Sequence, residues 1–163
     1  MQQPIAELAS LRGEYLHGGA TDVAEANQRL SEFQSDTYEI DAEFDGGSAV
    51  EVGFRLRMGS AQTLAGCNPK QAEVFIDRTK SGAVSFSGDF AGRHAGPIGL
   101  LNQRVKLRIF VDRSSVELLA NDGETVISDR IFPSPGSNGL QIYEQGGRAR
   151  VITLDVWKLK SAW

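Results

Sequence analysis

The chain has 163 residues, 40% of them hydrophobic, enough to bury one sizeable core and too few for two comfortable domains. Its net charge of −4, without any Lys/Arg cluster interleaved with aromatic residues, excludes nucleic acid as a partner. No apolar run reaches the ~18 residues needed to cross a bilayer, so no membrane span is expected, and the opening MQQPIAELAS lacks the basic start and apolar core of a signal peptide.

The opening segment places Ile5, Leu8 and Leu11 at helical spacing after Pro4, which predicts a short helical or extended connector with one apolar side. A polar stretch containing TDVAEANQRL follows, and residues 1–30 are read as connector and entry segment, 31–163 as the body of a single domain. At Tyr38 the period changes to two. Tyr38, Ile40, Ala42 and Phe44 fall on one face and Glu39, Asp41, Glu43 and Asp45 on the other. After Gly46 and Gly47 the alternation resumes, with Val50, Val52, Phe54 and Leu56 expected inward and Glu51, Arg55 and Arg57 outward.

The same pattern recurs in QAEVFIDR, AVSFSGDF, VKLRIFVD, SVELLAN, TVISDRIF, GLQIYE and ARVITLDVWKL, almost always bounded by Gly, Asn, Asp or Pro. Short strands at roughly ten-residue spacing, with almost no amphipathic helix after residue 31, predict an all-β fold: a single antiparallel β-sandwich. Segments 58–70 and 88–99, rich in small residues and turn formers, are expected to be loops.

Chemistry is sparse. The chain has no G-x-S-x-G elbow, no H-E-x-x-H and no G-x-x-x-x-G-K-[ST] loop. Cys67 is the single cysteine, which rules out an internal disulfide and a thiolate zinc cluster, and His17 and His94 belong to no metal-spaced motif. The acidic turns at Asp45 and Asp122 lack an ordered calcium-ligand pattern, and no cofactor is implied.

The densest polar constellation is VDRSSVELLANDGE, residues 111–124. It puts Asp112, Arg113, Ser114 and Ser115 at a hairpin tip, with Glu117 projecting from the face opposite Val116 and Leu118. A carboxylate beside a guanidinium fork can bond neighbouring sugar hydroxyls; equally, Asp112 and Arg113 can pair with each other and organise the turn. Aromatic rings pack on the C–H faces of sugars, which makes Tyr143, Trp157 and Trp163 candidates, Trp157 alternatively packing in a core or interface. Tyr143 and Glu144 precede Gly146 and Gly147 at a strand end suited to a binding rim, and Arg55 is an outlying candidate.

The run LRIFVDRSSVELLANDGETVISDRIFP, residues 107–133, resembles the characteristic segment of the C-terminal domain of family 32 glycoside hydrolases, the levanase, inulinase and invertase-type β-fructosidases. FIDRTKSG at 75–82 is similar to the earlier Asp-Arg turn of those domains. LDVWKLKSAW resembles their ending, and QQPIAELASLR their junction between propeller and sandwich. Leu119 stands where such domains often carry Phe. The family's catalytic segments, Trp-x-Asn-Asp-Pro-Asn-Gly, Arg-Asp-Pro and Glu-Cys, do not occur here; Cys67 follows Gly66.

The resemblance implies a concanavalin A-like sandwich of two curved sheets with a short helical N-terminal connector, acting as a non-catalytic module. It also implies an N-terminal catalytic propeller as partner and a secreted bacterial parent enzyme. The fold is similar to the family 66 carbohydrate-binding modules, which recognise terminal fructose of levan. A fructan-binding role using Asp112, Arg113, Glu117, Tyr143, Glu144 and Arg55 is therefore expected; the alternative is a purely structural domain that stabilises the propeller.

Overall fold

The structure, a computed structural model, describes residues 6–85, 88 and 90–160. Ile5 and Trp163, both named above, lie outside the described residues. A 3-10 turn, Ala6–Leu11, leads directly into β1, Arg12–Gly18. The two-residue strand β2, Thr21–Asp22, precedes the helix α1, Val23–Leu30. Then come β3 (Tyr38–Asp45), β4 (Glu51–Met58), β5 (Thr63–Asn68), β6 (Glu73–Asp77) and β7 (Arg93–Pro97). The second half supplies β8 (Arg104–Val111), β9 (Ser115–Ala120), β10 (Thr125–Arg130), β11 (Gly139–Gln145) and β12 (Arg150–Leu159).

The strands form two antiparallel sheets. The larger runs β1-β12-β3-β8-β9-β10, with β2 also on β12; the smaller runs β11-β4-β5-β6-β7. Their apposed faces make one core. Tyr38, Ile40, Ala42 and Phe44 meet Leu107 and Ile109 from the larger sheet and Val52, Phe54, Leu56, Val74 and Ile76 from the smaller, all buried. Phe44 and Phe54 touch edge-on across the sandwich at 5.5 Å. Each such side chain contributes about 1.5–3 kcal/mol by leaving water, which is why the period-two pattern selects this fold.

The entry segment is more structured than its composition suggests. Only its first turn is helical before β1 pairs with β12 from Arg12 to Gly18. The polar stretch TDVAEANQRL contains a capped helix. Asp22 accepts a hydrogen bond from the Glu25 amide at 2.8 Å, and the Thr21 hydroxyl donates to the Glu25 carboxylate at 2.6 Å. Val23, Ala26 and Leu30 form its buried stripe. Asn27 then mimics a neighbouring strand: its amide donates to the Ile142 carbonyl and its oxygen accepts from the Ile142 amide, both at 2.8 Å, on the edge strand β11.

Four local expectations are corrected. Segments 58–70 and 88–99 contain strands β5 and β7. Small residues are required in β5, because a Cβ on Gly66 would meet the Val52 carbonyl oxygen at 2.4 Å, so its sequence lacks the β-branched signature. Strand β7 is an exposed edge strand with no apolar alternation. Within AVSFSGDF no described residue is strand: Gly82 takes φ +133° and Ala83 donates to the Phe132 carbonyl, turning the chain past the end of β10. In β4 the inward row starts later than expected, with Val50 37% exposed and Glu51 buried.

Candidate functional site

The tip between β8 and β9 is organised from both sides. On its outer side the Asp112 carboxylate accepts from the Arg113 amide at 2.7 Å, and the Asp112 amide donates to the Ser115 carbonyl at 2.9 Å. From within, Arg57 fills the space behind the tip. Arg57 was expected to face solvent, but a positive φ of 47° turns it inward and leaves it 5% exposed. Its Nε donates to the Ser137 carbonyl at 2.7 Å and one terminal nitrogen to the Arg113 carbonyl at 3.1 Å, while its amide donates to the buried Tyr38 hydroxyl at 3.1 Å. Burial pushes that hydroxyl above the ordinary tyrosine range, so it stays protonated.

Beside this tip a groove of about 680 Å³ opens on the outer face of the larger sheet. Its lining includes Phe110, Asp112, Arg113, Glu117 and Lys160, together with Leu8 and Leu11 of the opening turn. The structure thus brings Asp112, Arg113 and Glu117 together, as their closeness in sequence suggested. Asp112 and Arg113 do not pair through their side chains, however; Arg113 reaches the Asp36 carboxylate at 2.9 Å.

The same sheet face carries a cross-strand row that sequence reasoning missed. Tyr15, Trp157, Glu39, Phe110 and Glu117 are direct partners across five strands. Glu39, expected on a solvated face, has 0% exposure. Arg12 holds it with two bonds at 2.9 and 2.7 Å, and Arg108 with two more at 3.0 and 2.7 Å. Burial alone would push this carboxyl up, but the two guanidiniums outweigh it and keep Glu39 below the ordinary carboxylate range.

Arg12 lies 3.9 Å from the Trp157 ring centre, and Tyr15 stacks on Trp157 at 5.1 Å and 16°. Asp155 accepts from the Tyr15 hydroxyl and meets His17 Nδ1 at 2.6 Å. A period-two pattern marks such positions only as outward; the cross-strand register that closes them over is not local information. Trp157 thus packs in a stack on the sheet face, outside the core.

Tyr143, Glu144 and Arg55 sit elsewhere. They lie on β11 and β4 of the smaller sheet and do not join the groove. Tyr143 is buried and donates to the Glu51 carboxylate, and burial, reinforced by that bond, pushes its hydroxyl up. Arg55 lies 5.2 Å from the Tyr143 ring and donates to Gln141 at 2.6 Å. Glu144 accepts from the Ala149 amide at 2.8 Å, holding the turn before β12. Arg93 braces this second face by binding Glu51 and Asp77, each at 3.2 Å, above Phe75. Tyr143, Gly53, Gly66 and Phe75 are register partners, so the two rings flank a strip of bare backbone.

No group of three or more His, Cys, Asp or Glu able to hold a metal ion is present among the described residues. The geometry defines a two-sheet antiparallel β-sandwich module with a groove of mixed apolar and charged lining on an outer sheet face.

Comparison with known proteins gives this module its kinship. The family description Glycosyl hydrolases family 32 C terminal matches residues 7–158. A levanase of Bacillus sp. (strain L7) is 42% identical over 99% of this chain and 18% of its own length, and a levanase of Bacillus subtilis (strain 168) is 41% identical over 100% and 25%. The crystal structure of exo-inulinase from Aspergillus awamori superposes with a TM-score of 0.83 at 32% identity, covering 99% of this chain and 32% of that one. The chain belongs to the C-terminal domain family of glycoside hydrolase family 32, as a β-sandwich domain. It spans between about a fifth and a third of the length of these relatives.

Proposed function

We propose that this domain is the accessory, non-catalytic sandwich of a secreted β-fructosidase and that it holds fructan, through terminal fructose, in the groove beside Asp112, Arg113 and Glu117. The observation that carries this reading is the groove's composition. Phe110 offers a ring for sugar C–H groups, Asp112 and Glu117 accept from hydroxyls, and Arg113 and Lys160 donate to them. The lining holds three acids (Asp36, Asp112, Glu117) and three bases (Arg113, Lys158, Lys160), a balance that suits a neutral polyol better than an ion. Kinship with levanases and with a protein named extracellular exo-inulinase in Aspergillus niger supports both the ligand class and the secreted setting. Held on the polymer, the parent enzyme gains effective concentration at chain ends without new chemistry.

Isothermal titration of the 163-residue chain with levan, inulin and fructose tests this, with Asp112→Ala and Glu117→Ala variants alongside. Heat of binding that disappears in the variants supports the groove. Silence with every fructan favours the second reading, a structural support for the catalytic propeller.

A further inference from the structure

The opening turn, Ala6–Leu11, lies against the sandwich without burying any of its residues. Leu8 and Leu11 are its half-buried positions, and both line the groove. Among the described residues a single hydrogen bond ties the turn to the body: the Lys160 amide donates to the Leu11 carbonyl at 2.8 Å. The Ser10 hydroxyl bonds only within the turn, to the Glu7 carbonyl at 2.6 Å. Where the turn passes into β1, the pairing with β12 is irregular between Arg12 and Tyr15. A segment with so few buried contacts opens far more readily than the whole domain unfolds.

The rest of the lining shows where this turn stands. Leu159 ends β12, Thr37 precedes β3, Phe110 belongs to β8 and Glu117 to β9. These four strands are consecutive in the larger sheet, so three inter-strand spacings, about 14 Å, separate the β12 side from Glu117. The turn is fastened to the β12 side through Lys160, and Arg12 next to it pairs with Leu159. The groove therefore has two unlike sides. Asp112, Arg113 and Glu117 are carried on the β8–β9 hairpin, whose tip Arg57 braces from behind. Leu8 and Leu11 are carried on a weakly held segment. A single fructose ring is too small to touch both sides at once, whereas a chain of several rings can.

We propose that the opening turn is a movable wall of the groove, held shut by a fructan oligosaccharide that packs C–H groups on Leu8 and Leu11 while its hydroxyls bond Asp112 and Glu117. This inference rests on the sugar-binding reading of the groove and deepens it: the ligand is an oligosaccharide, and its binding fixes the segment leading into β1. Only a ligand that touches the wall binds the closed form better than the open one, so fructose beside Glu117 leaves the turn as free as before. The opening of the wall in turn lowers the apparent affinity for the oligosaccharide by the fraction of molecules in which the wall is in place.

The test combines hydrogen–deuterium exchange with isothermal titration of the 163-residue chain, using fructose and a longer levan oligosaccharide. Wild type is compared with a Leu8→Ala, Leu11→Ala double variant and with Glu117→Ala, and circular dichroism verifies that each is folded. Saturating oligosaccharide is expected to slow exchange in residues 6–11 about three- to tenfold, and saturating fructose to leave it unchanged. The double variant should bind the oligosaccharide about three- to tenfold more weakly and fructose as wild type does. Glu117→Ala should remove oligosaccharide binding and the protection of residues 6–11 together. Oligosaccharide binding with unchanged exchange in residues 6–11, or with full affinity in the double variant, overturns the movable wall and leaves the groove standing. Oligosaccharide binding that survives Glu117→Ala, or no binding by wild type, overturns the groove and the wall with it.

Discussion

The guanidinium of Arg57 donates to the backbone carbonyl of Arg113 at 3.1 Å, so the groove's own arginine is positioned by another arginine buried behind it. Replacing Arg57 with Met keeps much of the volume and removes the donors to the Ser137 and Arg113 carbonyls. Leaving these carbonyls unpaired should cost about 1–3 kcal/mol, read as a lower urea midpoint. If the tip is also the sugar-binding wall, the same variant should weaken fructan binding without altering any residue that lines the groove.

Glu39 gives the strongest electrostatic prediction. Glu39→Ala strands Arg12 and Arg108 over a buried position, and since both arginines keep partial solvent access the expected loss is about 2–4 kcal/mol. The pH dependence follows from the direction of the shift. The folded pKa of Glu39 lies below the ordinary carboxylate value. Its stabilisation is therefore complete above that ordinary value and fades as pH falls through the folded one. Acid titration of stability should show a transition in wild type that is absent in Glu39→Ala.

Asp41 has the opposite sign. Burial, together with the charges of Asp155 and Glu39, raises its pKa despite Arg108. Its ionisation therefore removes stability as pH rises from the ordinary aspartate value through the folded one. Asp41→Asn should raise the unfolding midpoint at pH 7, and the gain should vanish in acid, where wild type carries the proton as well.

Gly53 and Gly66 face each other across β4 and β5 with no room for side chains. A Cβ on Gly53 would meet the Ala65 carbonyl oxygen at 2.4 Å and the Gly66 Cα at 2.5 Å. Gly53→Ala should destabilise the fold by about 1–3 kcal/mol in denaturant titration, because the obstructing atoms are backbone and cannot rotate away.

Cys67 is buried in β5, and burial pushes its thiol up to about 12. A thiol reagent should leave the native chain unmodified at pH 8 and label it stoichiometrically in denaturant.

How much of this was legible in the sequence depended on whether the information was local. Strands β3, β8 and β9 could be read directly because each buries one face, and alternation records that. Asp112, Arg113 and Glu117 were found together because one hairpin presents all three. Tyr143 and Glu144 join them through a strand end that reads as a binding rim, and Arg55 through residue type; pairing of β11 with β4 assigns all three to the other sheet. Glu39 and Arg57 both occupied positions that alternation marks as outward. One is sealed by arginines from β8 beside it and from β1 beyond β12, the other is turned inward by its backbone, and neither device leaves a period in the sequence. Strand β5 was hidden because its small residues serve close strand approach, which resembles loop composition.

The position of β12 has a further consequence, for biosynthesis. It lies between β1 and β3 in the larger sheet, so strands near the start of the chain can be joined only by the last one made. Until residues 150–159 have left the ribosome, β1 has no partner and one edge of β3 stays open. The domain must therefore complete its folding late, through contacts of long sequence separation, and its unfinished sheet is the species that chaperones would have to shield.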